Sequence, residues 1–183
     1  PGKVLKKVNG VPVLMYLVQK VKQSKKINDI IILTSDQTSD KPIIQFCKEN
    51  DIKYLEGPLE NVSKRFILAI GKYNLSNFIR LCADSPLLDH NILDKWVKIY
   101  EKNNFDIVTN IFPRSYPKGQ SIEIINATTF KKGYNKFINK SDFEHITAYF
   151  YTNPDSFKIF NLKSSVFRNN YRMVVDTEAD FYN

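Results

Sequence analysis

Residues 79–89 read IRLCADSPLLD. A strand-like run, NFIRLCA over 77–83, stops at an acid, Asp84, and Ser85 and Pro86 follow at once. Asp and Ser ahead of Pro are turn formers, so a turn closes the strand here. On the far side, NILDKWVKIYEKN (91–103) sets Ile92, Leu93, Trp96, Val97 and Tyr100 on one face, the spacing of a helix. A strand that exits on an acid and runs into a helix is half of a crossover unit, and the same grammar recurs on both sides of it.

Upstream, PVLMYLVQKVKQS (12–24) places Val13, Leu14, Leu17, Val18 and Val21 on one helical face behind Pro12. DIIILTSD (29–36) is a continuous apolar run ending in polar residues, the pattern of a strand buried on both faces. DKPIIQFCKEN (40–50) predicts a helix, IKYLEG (52–57) a short strand closed by Gly57, and ENVSKRFILAIGKYN (60–74) a helix. Downstream, FDIVTNIF (105–112) reads as a strand and QSIEII (120–125) as an alternating one. TTFKKGYNKF and FEHITAYFYTN predict helices, and SFKIFNL (156–162) and YRMVVDT (171–177) predict closing strands. Helix and strand alternate, which predicts an α/β fold on a mixed, mostly parallel sheet flanked by helices. The length suits one domain over residues 1–183.

The formal charge of +8 is compatible with a polyanionic partner or with lysines scattered over a solvated surface. No apolar run reaches the roughly 18 residues of a membrane span. The two cysteines, Cys47 and Cys82, lack metal or disulfide spacing and read as free thiols of a reducing, cytoplasmic compartment.

In such sheets ligands sit beyond the carboxyl ends of the strands. Ser35, Asp36, Glu56, Gly57, Asp84, Asn110 and Asp176 are the polar residues and glycine expected there. Asp84 and Asp176 each end a strand-like run. Each also has a plain structural use, Asp84 in a turn and Asp176 as a helix cap. Two carboxylates at one sheet edge repel unless a cation lies between them or one is protonated. Mg²⁺ takes one or two carboxylates together with waters and substrate phosphates, so the pair points to phosphoryl or nucleotidyl transfer. His90 and His145 have no partners at metal-ligand spacing, and neither a nucleophile elbow nor a phosphate-binding Gly-Lys-Ser/Thr loop occurs.

Taken in order, PGKVL (1–5), NGVPVL (9–14), GPLENVSKRF (57–66), IRLCADSPLLD (79–89), FPRSYPKGQSIEII (112–125), FEHITAYFY (143–151) and YRMVVDTEADF (171–181) resemble the segments of a known family. It is the cytidylyltransferase family of sugar nucleotidyltransferases, which includes spore-coat polysaccharide and acylneuraminate enzymes. The resemblance implies a Rossmann-like nucleotide-diphospho-sugar transferase fold of the GT-A-like kind. It implies CTP or another nucleoside triphosphate as donor, a sugar or sugar-phosphate acceptor, and Mg²⁺ (or Mn²⁺). By position, Lys3 is the signature lysine on the triphosphate, and Asp84 and Asp176 are the metal-binding, catalytic aspartates. Gly57 and Arg65 match the family's loop and helix near the nucleotide, and Glu123, Glu144 and His145 match positions that face the acceptor. Arg80 joins the nucleotide side, either paired with a sheet-edge acid or pointing out through a gap.

The family's first strand and Gly-rich loop would precede Pro1, so the resemblance implies weak or no activity for this stretch alone. Ser121 stands where many relatives carry an acid. A homodimer is a further expectation from the family, with no interface legible in these residues. Two rivals remain: a GT-A-type glycosyltransferase, which would normally show Asp-x-Asp where this chain has ADSP, and a nucleic-acid-binding module, which would want clustered cations with stacking aromatics.

Overall fold

The computed structural model describes residues 2–165, 170–177 and 179–181. Elements follow in the order β1 (Lys7–Val8), β2 (Val11–Pro12), α1 (Val13–Lys22), β3 (Ile31–Ser35), α2 (Lys41–Glu49), β4 (Lys53–Gly57), α3 (Val62–Lys72) and β5 (Asn77–Arg80). Then come α4 (His90–Glu101), β6 (Ile107–Thr109), β7 (Glu123–Asn126), α5 (Ala127–Tyr134), α6 (Lys140–Glu144), α7 (Ala148–Thr152) and β8 (Ile159–Asn161). This is an α/β fold with mixed sheets flanked by helices, as expected: β3 pairs β4 and β6 pairs β8 in parallel, whereas β1 pairs β2 antiparallel.

Two compact units make up the chain. One comprises Ile30–Phe78 and Ile125–Lys158. Here α2 carries the chain across from β3 to β4, in a register that sets Ser35 beside Gly57. Asn61 caps α3 by accepting the Lys64 N–H at 2.7 Å, one of the orphan donors of a helix start. A run of aromatic rings, Phe66, Phe78, Phe130, Phe137, Phe150 and Phe157, packs at 4.9–6.3 Å between successive centroids and supplies much of this core.

The other unit comprises Gly2–Asp29, Ile79–Ile124 and the residues from Ile159 on. Its hairpin turns on Asn9 and Gly10, both at positive φ, the conformation a two-residue type I′ turn requires. Helix α1 buries Val13, Leu14, Leu17, Val18 and Val21, the face its spacing predicts. Helix α4 buries Leu93, Trp96 and Val97, and Asp89 caps it through the Asn91 N–H. The four-stranded sheet runs β5-β7-β6-β8.

Several expectations need correction. Strand β5 ends at Arg80, so Asp84 stands in a turn beyond it, closed by Ser85 N–H to Cys82 O at 3.2 Å. The 171–177 stretch makes one bridge, Arg172 with Lys118, in place of a strand, because its other backbone bonds go to loops. The alternation read in 120–125 does not leave one face wet. Ile122, Glu123, Ile124 and Ile125 are all buried, so this inner strand of the sheet is covered on both faces, as strands in a layered α/β fold are. The helix expected over 143–153 breaks at His145, whose φ of −111° and ψ of 94° leave the helical region. The helix start read after Asp176 is a short 3₁₀ turn over Ala179–Phe181, while Glu178 and the last two residues lie outside the described residues.

Cys47 and Cys82 are free, with burial pushing the Cys47 thiol up to about 11 and raising that of Cys82. Both stay protonated at neutral pH, as expected of packed thiols. Among the described residues no helix is long and apolar enough to cross a membrane.

Candidate functional site

Lys3 opens a short 3₁₀ turn, Lys3–Leu5, entered through Gly2 at a φ of 78°. Its ammonium reaches two acids at once, Asp84 Oδ2 at 3.0 Å and Asp176 Oδ1 at 2.6 Å. The carboxylates therefore converge on one cationic centre. Partial burial works against the Lys3 charge, but the two acids outweigh it and raise its pKa. The Lys3 bond and charge hold Asp176 below the usual carboxylate range.

The backbone explains why both side chains are free to point this way. Asp84 O accepts the Val175 N–H at 2.9 Å, which ties the two acid-bearing segments together. Asp180 Oδ2 accepts the N–H groups of Asp176 at 2.8 Å and Thr177 at 2.7 Å, which holds the backbone around Asp176 against the turn that follows. Arg172 Nη2 lies 3.8 Å from Asp176 and 3.7 Å from Asp180.

Arg80 and Glu123 form a second pair in the same unit, Nη1 to Oε2 at 2.9 Å. Of the two readings of Arg80, pairing with an acid is the one realised. Glu123 is fully enclosed, so its neighbours are protein groups and its carboxylate is not open to solvent. Ser121, at the position of the missing acid, accepts a bond from Arg114 Nη1 at 2.9 Å.

The remaining candidates belong to the other unit. Gly57 ends β4 against the stem of Arg65: a Cβ there would lie 2.8 Å from Arg65 Cγ. Arg65 Nε is enclosed without a hydrogen-bond partner among the described residues. Burial lowers the Arg65 pKa against the opposing charges of Asp40 and Asp36, yet a guanidinium keeps its proton in a protein. Glu144 ends α6 and His145 sits in the break after it, both exposed. Beside them Asp142 is buried and accepts the Ile138 and Asn139 N–H groups, so the acid with a structural role here is Asp142. Glu56 is bonded to Lys41 at 2.6 Å.

Asp40 was no part of the expected site. Its Oδ2 turns back from the start of α2 to the end of β3, accepting Ser35 Oγ at 2.6 Å, Thr34 Oγ1 at 3.0 Å and Ser35 N at 3.2 Å. Burial opposes its charge, but these bonds outweigh it and hold the carboxyl below its ordinary value. A carboxyl that titrates lower folded than unfolded adds stability above its unfolded pKa, about 4, and that stability is lost as pH falls through the folded value. Ser35→Ala is therefore expected to cost about 1.5–3 kcal/mol at pH 7 and progressively less towards pH 3. Urea unfolding across that range checks it, and a pH-independent cost would rule out the charged bond as its source.

Among the described residues no group of three or more His, Cys, Asp or Glu gathers as a metal cage. The Asp84–Asp176 pair fits a different demand. Hard carboxylate oxygens converging on one cationic centre suit Mg²⁺, which takes few protein ligands and fills the rest with water and phosphate.

Solved nucleotidyltransferases share this fold. The chain superimposes on a CMP:2-keto-3-deoxy-manno-octonic acid synthetase complexed with CTP at a TM-score of 0.65, with 12% identity, 90% of this chain and 84% of that one covered. A cytidylyltransferase from Leptospira borgpetersenii matches at a TM-score of 0.94, with 27% identity over 99% of this chain and 77% of that one. The spore coat polysaccharide biosynthesis protein SpsF of Bacillus subtilis is 28% identical over 188 residues, 99% of this chain and 77% of its own length. The sequence pattern of the cytidylyltransferases matches residues 1–182, and the chain belongs to that family.

Proposed function

We propose that this protein transfers a nucleoside monophosphate from CTP, or another nucleoside triphosphate, to a sugar or sugar phosphate, in the making of a surface polysaccharide or related glycan. The observation that carries the reading is the convergence of Asp84 and Asp176 on Lys3. An acceptor oxygen attacks the α-phosphorus, the α–β phosphoanhydride bond breaks, and pyrophosphate leaves with the electron pair. Asp84 and Asp176 would hold Mg²⁺ (or Mn²⁺), and the ion would supply positive charge to offset that of the phosphate oxygens. Lys3 then moves its charge from the acids onto the triphosphate, lowering the repulsion that the acceptor oxygen meets.

Gly57 and Arg65 serve the nucleotide. Arg80 serves it too, and Glu123 acts by holding Arg80, since a carboxylate with no exposed surface does not reach a sugar. Glu144 and His145, exposed, are the acceptor-side candidates. The reading takes residues 1–183 as one nucleotidyltransferase-like domain of the GT-A-like kind, and the need for CTP sets it in the cytoplasm. The names of the family and of SpsF support the donor and the pathway class.

The test is product analysis. With Mg²⁺, a panel of sugars and sugar phosphates, and each of four nucleoside triphosphates in turn, pyrophosphate release is expected with CTP. Release of free nucleoside diphosphate from a nucleotide sugar, with no pyrophosphate from any triphosphate, would establish the glycosyltransferase rival instead.

A further inference from the structure

Neither acid is placed by a strand of its own: Asp84 lies in a turn and Asp176 in an irregular segment. Besides the Val175 N–H bond to Asp84 O, which ties the two segments directly, the Lys118–Gly119–Gln120 stretch anchors both of them. Its backbone holds the Asp176 segment, with Lys118 N–H donating to Tyr171 O at 3.2 Å and Met173 N–H to Lys118 O at 2.7 Å. Gly119 permits that closeness. It sits at a φ of 98°, and a Cβ there would stand 2.2 Å from the Met173 carbonyl oxygen.

The next side chain holds the Asp84 loop. Gln120 is buried, its Nε2 donates to Leu87 O at 2.6 Å, and its Oε1 accepts the Asp89 N–H at 3.1 Å. The same Nε2 lies 3.6 Å from Met173 Sδ. Gln120 is itself moored just beyond β6. Asn110, fully buried, donates from Nδ2 to Gln120 O at 2.7 Å and accepts the Ile122 N–H at 3.0 Å.

We propose that Gln120 is a positioning residue for the cation site. Its amide clamps the Asp84 loop at Leu87 and Asp89, while its neighbours clamp the Asp176 segment at Tyr171 and Met173. Both carboxylates are thereby referred to one rigid point. The proposal rests on the reading of Asp84 and Asp176 as cation ligands. A glutamine side chain serves because its amide has a donor and an acceptor at the same end, and the loop offers one carbonyl and one N–H.

Gln120→Leu keeps the bulk and removes both bonds. Groups that orient a metal's ligands commonly carry a tenfold to hundredfold effect on its affinity, so Mn²⁺ binding, followed by loss of the free-ion EPR signal, is expected to weaken about tenfold. The Mg²⁺ concentration for half-maximal pyrophosphate release is expected to rise by a similar factor, with turnover recovering at saturating Mg²⁺. A residue needed only for folding would lower turnover at every Mg²⁺ concentration. If Gln120→Leu does not fold, Gln120→Glu makes the same comparison, keeping the shape and the acceptor but losing the donor to Leu87. Unchanged Mn²⁺ affinity in a folded variant overturns the proposal. Asp84→Asn separates the two claims: if it too binds Mn²⁺ like the unaltered chain, the carboxylate reading itself fails, and Gln120's role falls with it.

Discussion

Asp84→Asn is expected to lower kcat/KM for pyrophosphate release by about a thousandfold while the protein stays folded. The change removes one of two negative charges that face a single cation and leaves shape and hydrogen bonding nearly as they were. A metal bound to phosphate oxygens supplies several kcal/mol of transition-state stabilisation, and each 1.36 kcal/mol is about tenfold in rate. Stability should hardly move, because the Lys3 side chain is 40% exposed and Asp84 22% exposed, and ion pairs open to water contribute about 0–1 kcal/mol. Steady-state kinetics and a melting curve on the same preparation check both parts. Activity within threefold of the unaltered chain would show that Asp84 is a turn residue and no ligand.

Arg80→Met should do the reverse and strike stability first. Glu123 has no exposed surface and accepts the Arg80 guanidinium at 2.9 Å. Removing one member of a fully buried pair costs about 3–5 kcal/mol, mostly because the partner's charge stays enclosed. The Arg80 side chain is 32% exposed, so water reaches that end of the pair and the loss should be about 2–3 kcal/mol. At about 2–4 °C per kcal/mol for a chain of this size, the melting temperature should fall by roughly 4–12 °C. The double variant Arg80→Met with Glu123→Met distinguishes this cause from lost packing. Replacing both charges by apolar groups of similar volume is often close to neutral, so most of the loss should return. A double variant as unstable as the single one would place the cost elsewhere.

The helices were the most legible part of this chain, because their signals are local. The buried face of α1 and the Leu93, Trp96 and Val97 face of α4 follow from spacing that one helix satisfies by itself. Strand ends were less legible. NFIRLCA continues apolar past Arg80, but a strand lasts only as long as a neighbour offers backbone partners, and that neighbour is remote in sequence. Glu123 shows the limit most sharply. Its alternating context predicts a wet face, and only the packing of the rest of the fold over both faces of β7 encloses it. His145 fails in the opposite direction, since a continuous helical pattern does not reveal that the backbone leaves the helix there.

For the site, the sequence by itself determined the chemistry on offer: two acids at the ends of strand-like runs, and an ordered set of family segments whose first holds Lys3. It could not decide which use each acid has. Asp176 suited a helix cap as well as a cation, and only the fold shows its carboxylate meeting Lys3. Tertiary structure alone brought Lys3 to Asp84 across 81 residues and to Asp176 across 173. It also made a clasp of Gln120, a residue with no local signature. The physical reason is common to all of these. Hydrogen bonding and periodicity within a turn or helix are written in neighbouring residues, whereas convergence of charges and enclosure of a side chain depend on which distant segments the fold packs together.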